Sequence, residues 1–234
     1  VCSPARAGLL TGRYPARAGV HGVYYPTINP TTIAPRLFFG IGSGMSVREI
    51  TLAELMRDAG YATYGVQTNG WLHQSFGFHQ GFDHYVFPRA RDTAPEMSLS
   101  SVWPHGERIF EEAGRLLEAH DEVQPFFLYL HFMDVHEYAA PPEFRSFGAD
   151  REGSYLSAIR WVDDVMERLR ERLERDGLLD RTLILFLSDH GDMLGERGLW
   201  YKMNLFEHSV RVPLIVSGPG IGQGQVATPV FSFS

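Results

Sequence analysis

Blocks of apolar residues alternate with mixed polar stretches along this chain, and their spacing predicts strands and helices in turn. Two nearly continuous apolar runs, 126–132 and 182–187, predict strands that are covered on both faces. Between them, residues 152–175 predict a long amphipathic helix, because apolar side chains recur there at helical spacing. The predicted apolar stripe of this helix consists of Leu156, Ile159, Val162, Met166, Leu169 and Leu173.

Shorter signals complete the pattern. The run Thr51-Leu52-Ala53-Glu54 has the form of a capping box, so a helix is predicted to begin there, run to about residue 59 and end at Gly60. Residues 61–66 and 213–216 predict two further strands, and residues 105–120 a second helix. Strands that alternate with helices predict an α/β fold with a doubly wound, mostly parallel sheet and helices on both faces. Sites in such folds lie beyond the carboxyl ends of the strands.

Composition narrows the class of protein. Hydrophobic residues make up 44% and charged residues 21%, an ordinary globular balance. The net charge is 21 minus 28, or −7, which argues against a nucleic-acid partner. No stretch is apolar for long enough to cross a bilayer. A single cysteine excludes an internal disulfide framework and leaves the cellular compartment undecided.

Both ends of the chain have an unusual character. The chain starts at Val1 rather than at a methionine, and the run 229–234 resembles the beginning of another element. We therefore expect an internal fragment that is truncated at both termini. A signal peptide cannot be judged from it, and localisation stays open.

The first residues carry the most specific candidate chemistry. Pro4 suits the first turn of a helix and Gly12 its end, so residues 4–11 predict a short helix with Cys2 at its N-terminus. Unpaired N–H groups and the helix dipole favour an anion there, and Arg6 is a permanently charged fork suited to an oxyanion. Read by residue type alone, Cys2 could equally be a small buried side chain and Arg6 a surface residue.

Candidate residues also follow the two long strands. Ser188-Asp189-His190-Gly191-Asp192 comes directly after the run 182–187, and a carboxylate with an imidazole at a strand end forms a plausible divalent-metal half-site. The alternative is a polar turn that leads out of the sheet. His136 follows the run 126–132 and is a candidate general acid or base, or else a surface or core residue.

These motifs together resemble the formylglycine-dependent sulfatases. The run C-x-P-x-R at Cys2, followed by L-L-T-G-R, resembles their active-site signature. The stretch S-D-H-G-D…K…R-V-P-L from Ser188 resembles bacterial sulfatases, including the choline sulfatase group. The segment from residue 125 resembles P-F-F-L-Y-x-x-F-x-D-P-H, with Val135 where proline is commoner.

The resemblance implies an alkaline-phosphatase-like fold and specific residue roles. A formylglycine-generating enzyme would oxidise Cys2 to an aldehyde, whose hydrate attacks the sulfur of a sulfate ester; Cys2, Arg6 and His136 would be catalytic. Asp189, His190 and the modified Cys2 would hold Ca²⁺, or another divalent cation such as Mg²⁺ or Mn²⁺. Lys202 and His136 would bind the sulfate group, although Lys202 also fits a solvated surface position. The substrate would be a small sulfated molecule: a sugar, aryl or choline sulfate.

The chain departs from the family pattern in two respects. Most sulfatases show G-K-x-H after the strand at 61–66, whereas here Asn69 stands near the lysine position and His73 near the histidine. Two aspartates that the family places on an upstream strand are not in this chain. We therefore expect residues 1–234 to be a partial catalytic domain, without the N-terminal metal-binding strand and the C-terminal subdomain. We expect it to bind metal poorly and to be inactive alone.

Two other functions stay open at this point. One is a phosphonate monoester or phosphodiester hydrolase with the same aldehyde, and the other is a non-catalytic member that binds anions. Several further residues are interpreted as structural rather than catalytic: the pair Asp163-Asp164 on a helix, the glycine-rich run 40–44, the loop residues Asp192 and Glu196, the framework positions His208 and Arg211, and His131, which is expected to point away from the site.

Overall fold

The computed structural model describes residues 2–20, 44–88, 105–121 and 123–226. Most of the glycine-rich run 40–44 and the terminal run 229–234 lie outside these ranges.

A parallel sheet forms the centre of the described structure. Its strands are β1 (Ala62–Gln67), β2 (His84–Val86) and β3 (Phe126–His131), in the spatial order β2-β1-β3. β1 pairs with β3 from Ala62 opposite Phe126 to Gln67 opposite His131. Because both pairings of β1 are parallel, the carboxyl ends of all three strands lie at one edge of the sheet.

Helices cover both faces of this sheet, which confirms the predicted α/β class. On one face, Ile109 and Leu116 of α3 (Gly106–Glu118) pack against Val66 of β1. On the other face, α1 (Cys2–Thr11) packs its buried alanine and leucine side chains against Tyr129 of β3. The remaining helices are α2 (Leu52–Asp58), the short α4 (Asp134–Glu137), α5 (Arg151–Arg175) and the short α6 (Glu207–Val210).

Local sequence signals set the bounds of the first helices. Gly12 adopts φ 63° directly after α1 and donates its N–H to the carbonyl of Gly8 over 2.8 Å, as expected of a C′ glycine. The capping box before α2 is present in full, because the Thr51 side chain accepts from the Glu54 N–H and the Glu54 side chain accepts from the Thr51 N–H. Both predictions are confirmed.

The predicted apolar stripe of α5 is wrong at its N-terminal end. Leu156 and Ile159 are 38% and 41% exposed. Trp161 is buried instead, and its indole ring lies so close to Gly106 of α3 that a Cβ there would be 2.8 Å from Nε1. The contact between α3 and α5 therefore selects the buried face, and helical spacing of apolar residues alone did not reveal it.

Strands form at both runs predicted near the C-terminus, but the prediction that the strand at 182–187 is covered on both faces is wrong. β4 (Ile184–Leu187) pairs with β7 (Leu214–Ser217) in an antiparallel ladder, separate from the parallel sheet in the described part of the chain. Leu185 is 56% exposed and all of β7 is exposed. The loop between them contains β5 (Met193–Leu194) and β6 (Trp200–Tyr201), which pair antiparallel. None of the helices described is both long and apolar enough to span a bilayer.

Candidate active site

Cys2 is the first residue of α1, and its thiol faces residues from distant parts of the chain. Its Sγ lies 3.1 Å from His190 Nε2. Burial raises the pKa of the thiol, but hydrogen bonds from His136 and His190, together with the positive charges of His190 and Lys202, outweigh burial and bring the pKa to about 5. This environment therefore stabilises negative charge at residue 2.

A buried ion pair connects the same helix to the end of β4. Arg6 Nε lies 2.9 Å from Asp189 Oδ2, and the two side chains are only 4% and 17% exposed. The two atoms are close but not aligned as a hydrogen bond, and Asp189 Oδ2 has no hydrogen-bond partner among the described residues. Arg6 therefore balances the Asp189 charge, and its predicted direct contact with a substrate oxyanion stays a prediction.

His136 and Lys202 contact each other close to Cys2. Lys202 Nζ lies 2.5 Å from His136 Nε2. His136 belongs to α4, whose first residue, Asp134, is completely buried and accepts hydrogen bonds from the N–H groups of His105 and Gly106 and from Trp161 Nε1. These three donors fix α4 against α3 and α5 and thereby place His136 at the end of β3.

The donor atoms of Cys2, Asp189 and His190 fit a divalent cation. One ligand atom from each lies within 4.8 Å of the other two. Asp189 offers a buried carboxylate oxygen without a hydrogen-bond partner in the described structure, which is the type of oxygen that hard cations bind. His190 adds an imidazole nitrogen, which suits several divalent metals. These residues could therefore hold a divalent cation, and the metal half-site stays a prediction.

A close backbone contact shapes the turn that carries Asp189 and His190. Gly191 donates its N–H to the carbonyl of Ser209 over 2.8 Å, and a Cβ at residue 191 would lie 2.0 Å from the carbonyl oxygen of His208. Only glycine permits this approach between the end of β4 and α6.

Replacing Gly191 with alanine should therefore displace the turn. We expect the free energy of unfolding to fall by about 1–3 kcal/mol, because the added methyl group overlaps backbone atoms. Urea unfolding of the purified variant measures this loss. Gly114→Ala is the control, because a Cβ there meets only the flexible end of Arg172 at 3.3 Å. An unfolding free energy of Gly191→Ala equal to that of Gly114→Ala would contradict the prediction.

His131 and Tyr129 are parts of the site that the sequence did not indicate. His131 is half-buried with its Nδ1 covered, and its pKa lies well below its usual value because of desolvation and the positive charges of Arg6, His136 and His190. Burial raises the pKa of Tyr129 to about 12, and this tyrosine interacts electrostatically with Arg6. The expectation that His131 points away from the site is wrong. Alternation along β3, which puts residues 129 and 131 on one face, could have shown this.

The residues at the family's Lys and His positions have other partners here. Asn69 is buried, its amide nitrogen contacts Met133 Sδ at 3.3 Å, and its side-chain oxygen accepts the Trp71 N–H. His73 Nδ1 lies 2.8 Å from Ser75 Oγ at the surface. Both side chains are thus used in local structure at the start of short 3₁₀ turns.

The remaining polar residues near the site support loops, in agreement with their structural interpretation. Asp192 accepts a hydrogen bond from the Tyr138 hydroxyl, and Glu196 accepts the N–H of Leu194 over 2.7 Å. His208 is exposed and lies 3.6 Å from Glu196. Asp164 lies 3.7 Å from Arg168 on the same helix.

The fold and the site together define a class of protein. A doubly wound α/β core brings His136, His190 and Lys202 close to Cys2 beyond the ends of β3 and β4, and its fold is the alkaline-phosphatase-like fold. Residues 1–233 match the Sulfatase family. The chain therefore belongs to the sulfatase family.

Individual relatives agree with this assignment. Choline-sulfatase from Rhizobium meliloti (strain 1021) is 57% identical over 76 residues, which are 32% of this chain and 15% of that protein. N-acetylgalactosamine-6-sulfatase from Homo sapiens is 30% identical over 267 aligned positions, which cover 97% of this chain and 50% of the relative. The chain thus spans about half the length of this curated relative.

A solved structure has the same fold. The phosphonate monoester hydrolase of Agrobacterium radiobacter superposes with a TM-score of 0.66 at 22% sequence identity, over 94% of this chain and 59% of that chain. At this level of identity the likeness establishes the fold.

Proposed function

We propose that this protein hydrolyses sulfate monoesters and that a formylglycine made from Cys2 provides the nucleophile. The observation that carries the proposal is the convergence on Cys2 of His190, His136 and Lys202, which lowers its pKa to about 5. Such a cluster stabilises the negative charge that develops when sulfate is transferred. The family assignment supplies the chemistry of sulfate esters.

Each residue of the cluster has a role in this proposal. Lys202 binds the sulfate oxygens as a point charge, and His136, which it contacts, moves the proton to or from the ester oxygen. Asp189, His190 and the modified residue 2 hold the cation, with Ca²⁺ as the expected ion and Mg²⁺ or Mn²⁺ as the alternatives. When bound, the cation supplies Lewis-acid charge to the sulfate oxygens. Arg6 keeps the Asp189 carboxylate in position.

The first test is the mass of the peptide that carries Cys2, taken from full-length protein made together with a formylglycine-generating enzyme. Conversion of the thiol to an aldehyde supports the proposed nucleophile. An unmodified thiol, with the modifying enzyme shown to be active on another substrate, would overturn it and favour a non-catalytic anion-binding protein. The extent of the catalytic domain within 1–234 and the inactivity of this segment alone stay predictions, and they are tested by producing residues 1–234 separately and assaying them beside the full-length protein.

A phosphonate monoester or phosphodiester hydrolase is the second candidate function, because the solved phosphonate monoester hydrolase shares the fold. Comparing kcat/KM for 4-nitrophenyl sulfate with kcat/KM for an aryl phosphodiester separates the two. A higher value for the sulfate supports our proposal, and a higher value for the diester supports the alternative.

Lys202→Met should lower kcat/KM for 4-nitrophenyl sulfate by roughly 10²-fold, because one positive charge on the transferring group is lost. Arg197→Met is the matched control. Arg197 lies on the same loop, but its guanidinium stacks on Phe206, 4.7 Å from the ring centroid. Steady-state kinetics of both variants measure the effect, and equal losses would show that Lys202 acts only through the loop.

A further inference from the structure

Arg151, the first residue of α5, is held among three aromatic rings next to the proposed sulfate site. Its guanidinium carbon lies 5.0 Å from the ring centroid of Tyr138, 4.8 Å from that of Trp200 and 4.4 Å from that of Tyr201. Distances below about 6 Å are those of cation–π interactions. We call Arg151 and these three rings the arginine cage.

The chain connects this cage directly to the residues that bind sulfate in our proposal. Tyr138 ends α4, two residues after His136, and Tyr201 precedes Lys202. Since adjacent Cα atoms are about 3.8 Å apart, these links bring the guanidinium to on the order of 10 Å from the sulfate group. The other end of a small sulfate ester can span that distance.

Two features show that the cage is held in place. Tyr138 and Tyr201 have φ values of 53° and 67°, a left-handed region that is uncommon for residues other than glycine and is often found at functional sites. The Tyr138 hydroxyl donates to Asp192 and accepts from Arg151 Nη2 at 3.2 Å. The tyrosine is thereby fixed between the guanidinium and the carboxylate.

The guanidinium retains capacity for a ligand. Its interactions among the described residues are with tyrosines and the Trp200 ring, and none of the described carboxylates forms an ion pair with it. A guanidinium has five N–H donors, and the tyrosine hydroxyls accept from only some of them, so the others can bind a ligand. Trp200 and Tyr201 are 46% and 55% exposed, so the cage opens to solvent.

The charge of the cage determines which ligands it can accept. A ring of aromatic faces would suit a quaternary ammonium, but here a guanidinium already occupies the space between the rings, and it would repel a second cation. A planar carboxylate or a sulfate matches the guanidinium fork instead. Both are oxyanions, and both could be carried by the alcohol part of the ester.

We propose that Arg151 is a specificity-determining residue that binds a second oxyanion, a carboxylate or a sulfate, on the alcohol part of the substrate. This inference rests on the proposed function, since it places the first sulfate at His136 and Lys202. Dianionic sulfate esters are the preferred substrates, and choline sulfate, with its cationic alcohol part, is a poor one.

Binding to the full-length protein with calcium, produced without a formylglycine-generating enzyme so that Cys2 stays a thiol and no ligand is turned over, tests the proposal. Two matched pairs of ligands are titrated by calorimetry. D-Glucosamine-2-N,6-O-disulfate is compared with N-acetylglucosamine 6-sulfate, and glucuronic acid 2-sulfate with glucose 2-sulfate. We expect the dianionic member of at least one pair to bind about tenfold tighter, as for a charge-assisted pair near the surface. The pair that shows the preference identifies the oxyanion.

Three variants define the role of the side chain. Arg151→Gln should abolish the preference within the pair and leave the affinity for the monoanionic member nearly unchanged, and Arg151→Lys should restore part of the preference. Arg175→Gln, the same charge change at the far end of α5, should keep the preference. Equal affinity within both pairs, tighter binding of choline sulfate than of the monoanionic sugar sulfates, or a preference that survives in Arg151→Gln overturns the proposal. Absence of binding by every ligand also overturns it. Hydrolysis of 4-nitrophenyl sulfate by the aldehyde form, measured separately, reports on the proposed function alone.

Discussion

Cys2→Ala is expected to lower kcat for 4-nitrophenyl sulfate by roughly 10⁴-fold or more, since loss of a nucleophile leaves only the catalysis that binding and electrostatics provide. The thiol is the atom on which the surrounding histidines and Lys202 converge, and no other cysteine occurs in the sequence. A serine would keep the shape of the side chain but not the thiol that the modifying enzyme oxidises. We therefore expect Cys2→Ser to be as inactive as Cys2→Ala.

The control for this variant lies before β4, outside the signature motif. Thr182 donates its hydroxyl hydrogen to the carbonyl of Leu178 over 2.7 Å. Thr182→Ala should keep wild-type kcat, and thermal unfolding should show that all three variants are folded. Activity of Cys2→Ala within tenfold of wild type would contradict the nucleophile assignment.

The second large effect concerns stability. In Arg6→Met, we expect the free energy of unfolding in the absence of metal to fall by about 3–5 kcal/mol, because the change leaves the largely buried Asp189 charge without its partner. Methionine fills similar space, so little of the loss would come from a cavity. Urea unfolding in the presence of a chelator measures it, and added Ca²⁺ should recover part of the loss by supplying positive charge at Asp189.

Arg170→Met is the matched control, because Arg170 also pairs with a carboxylate but both side chains are exposed. Its Nη1 lies 3.4 Å from Glu174 Oε2 and the two side chains are 56% and 62% exposed, for which a loss of about 0–1 kcal/mol is expected. The double variant Arg6→Met/Asp189→Asn should be more stable than Arg6→Met alone. Similar losses for Arg6→Met and Arg170→Met would show that burial of the Arg6–Asp189 pair does not matter.

The sequence predicted elements wherever the signal was local. The Thr51 capping box, the glycine after α1 and the ends of the strands that precede His136 and Asp189 all depend on a few neighbouring residues. The sequence-based prediction failed where the buried face of a helix depends on which other elements pack against it. Leu156 and Ile159 look like core residues by spacing, but the packing of Trp161 on Gly106 turns them towards solvent.

The same distinction applies to the site. Cys2, His136, Asp189, His190 and Lys202 could be named from motif and position after a strand, and the structure brings them together. Arg151 could not be named in this way. Its partners come from α4 and β6, and a cation–π contact leaves no periodic mark on the sequence.

The contact between Lys202 and His136 has a practical consequence, because Lys202 is the only lysine among these 234 residues. An amine-selective acylating reagent therefore has a single side-chain target in this chain, and that target lies in the proposed anion site. A ligand bound at the site would protect Lys202 from labelling, and mass spectrometry would measure that protection. Ligands could then be ranked without any turnover.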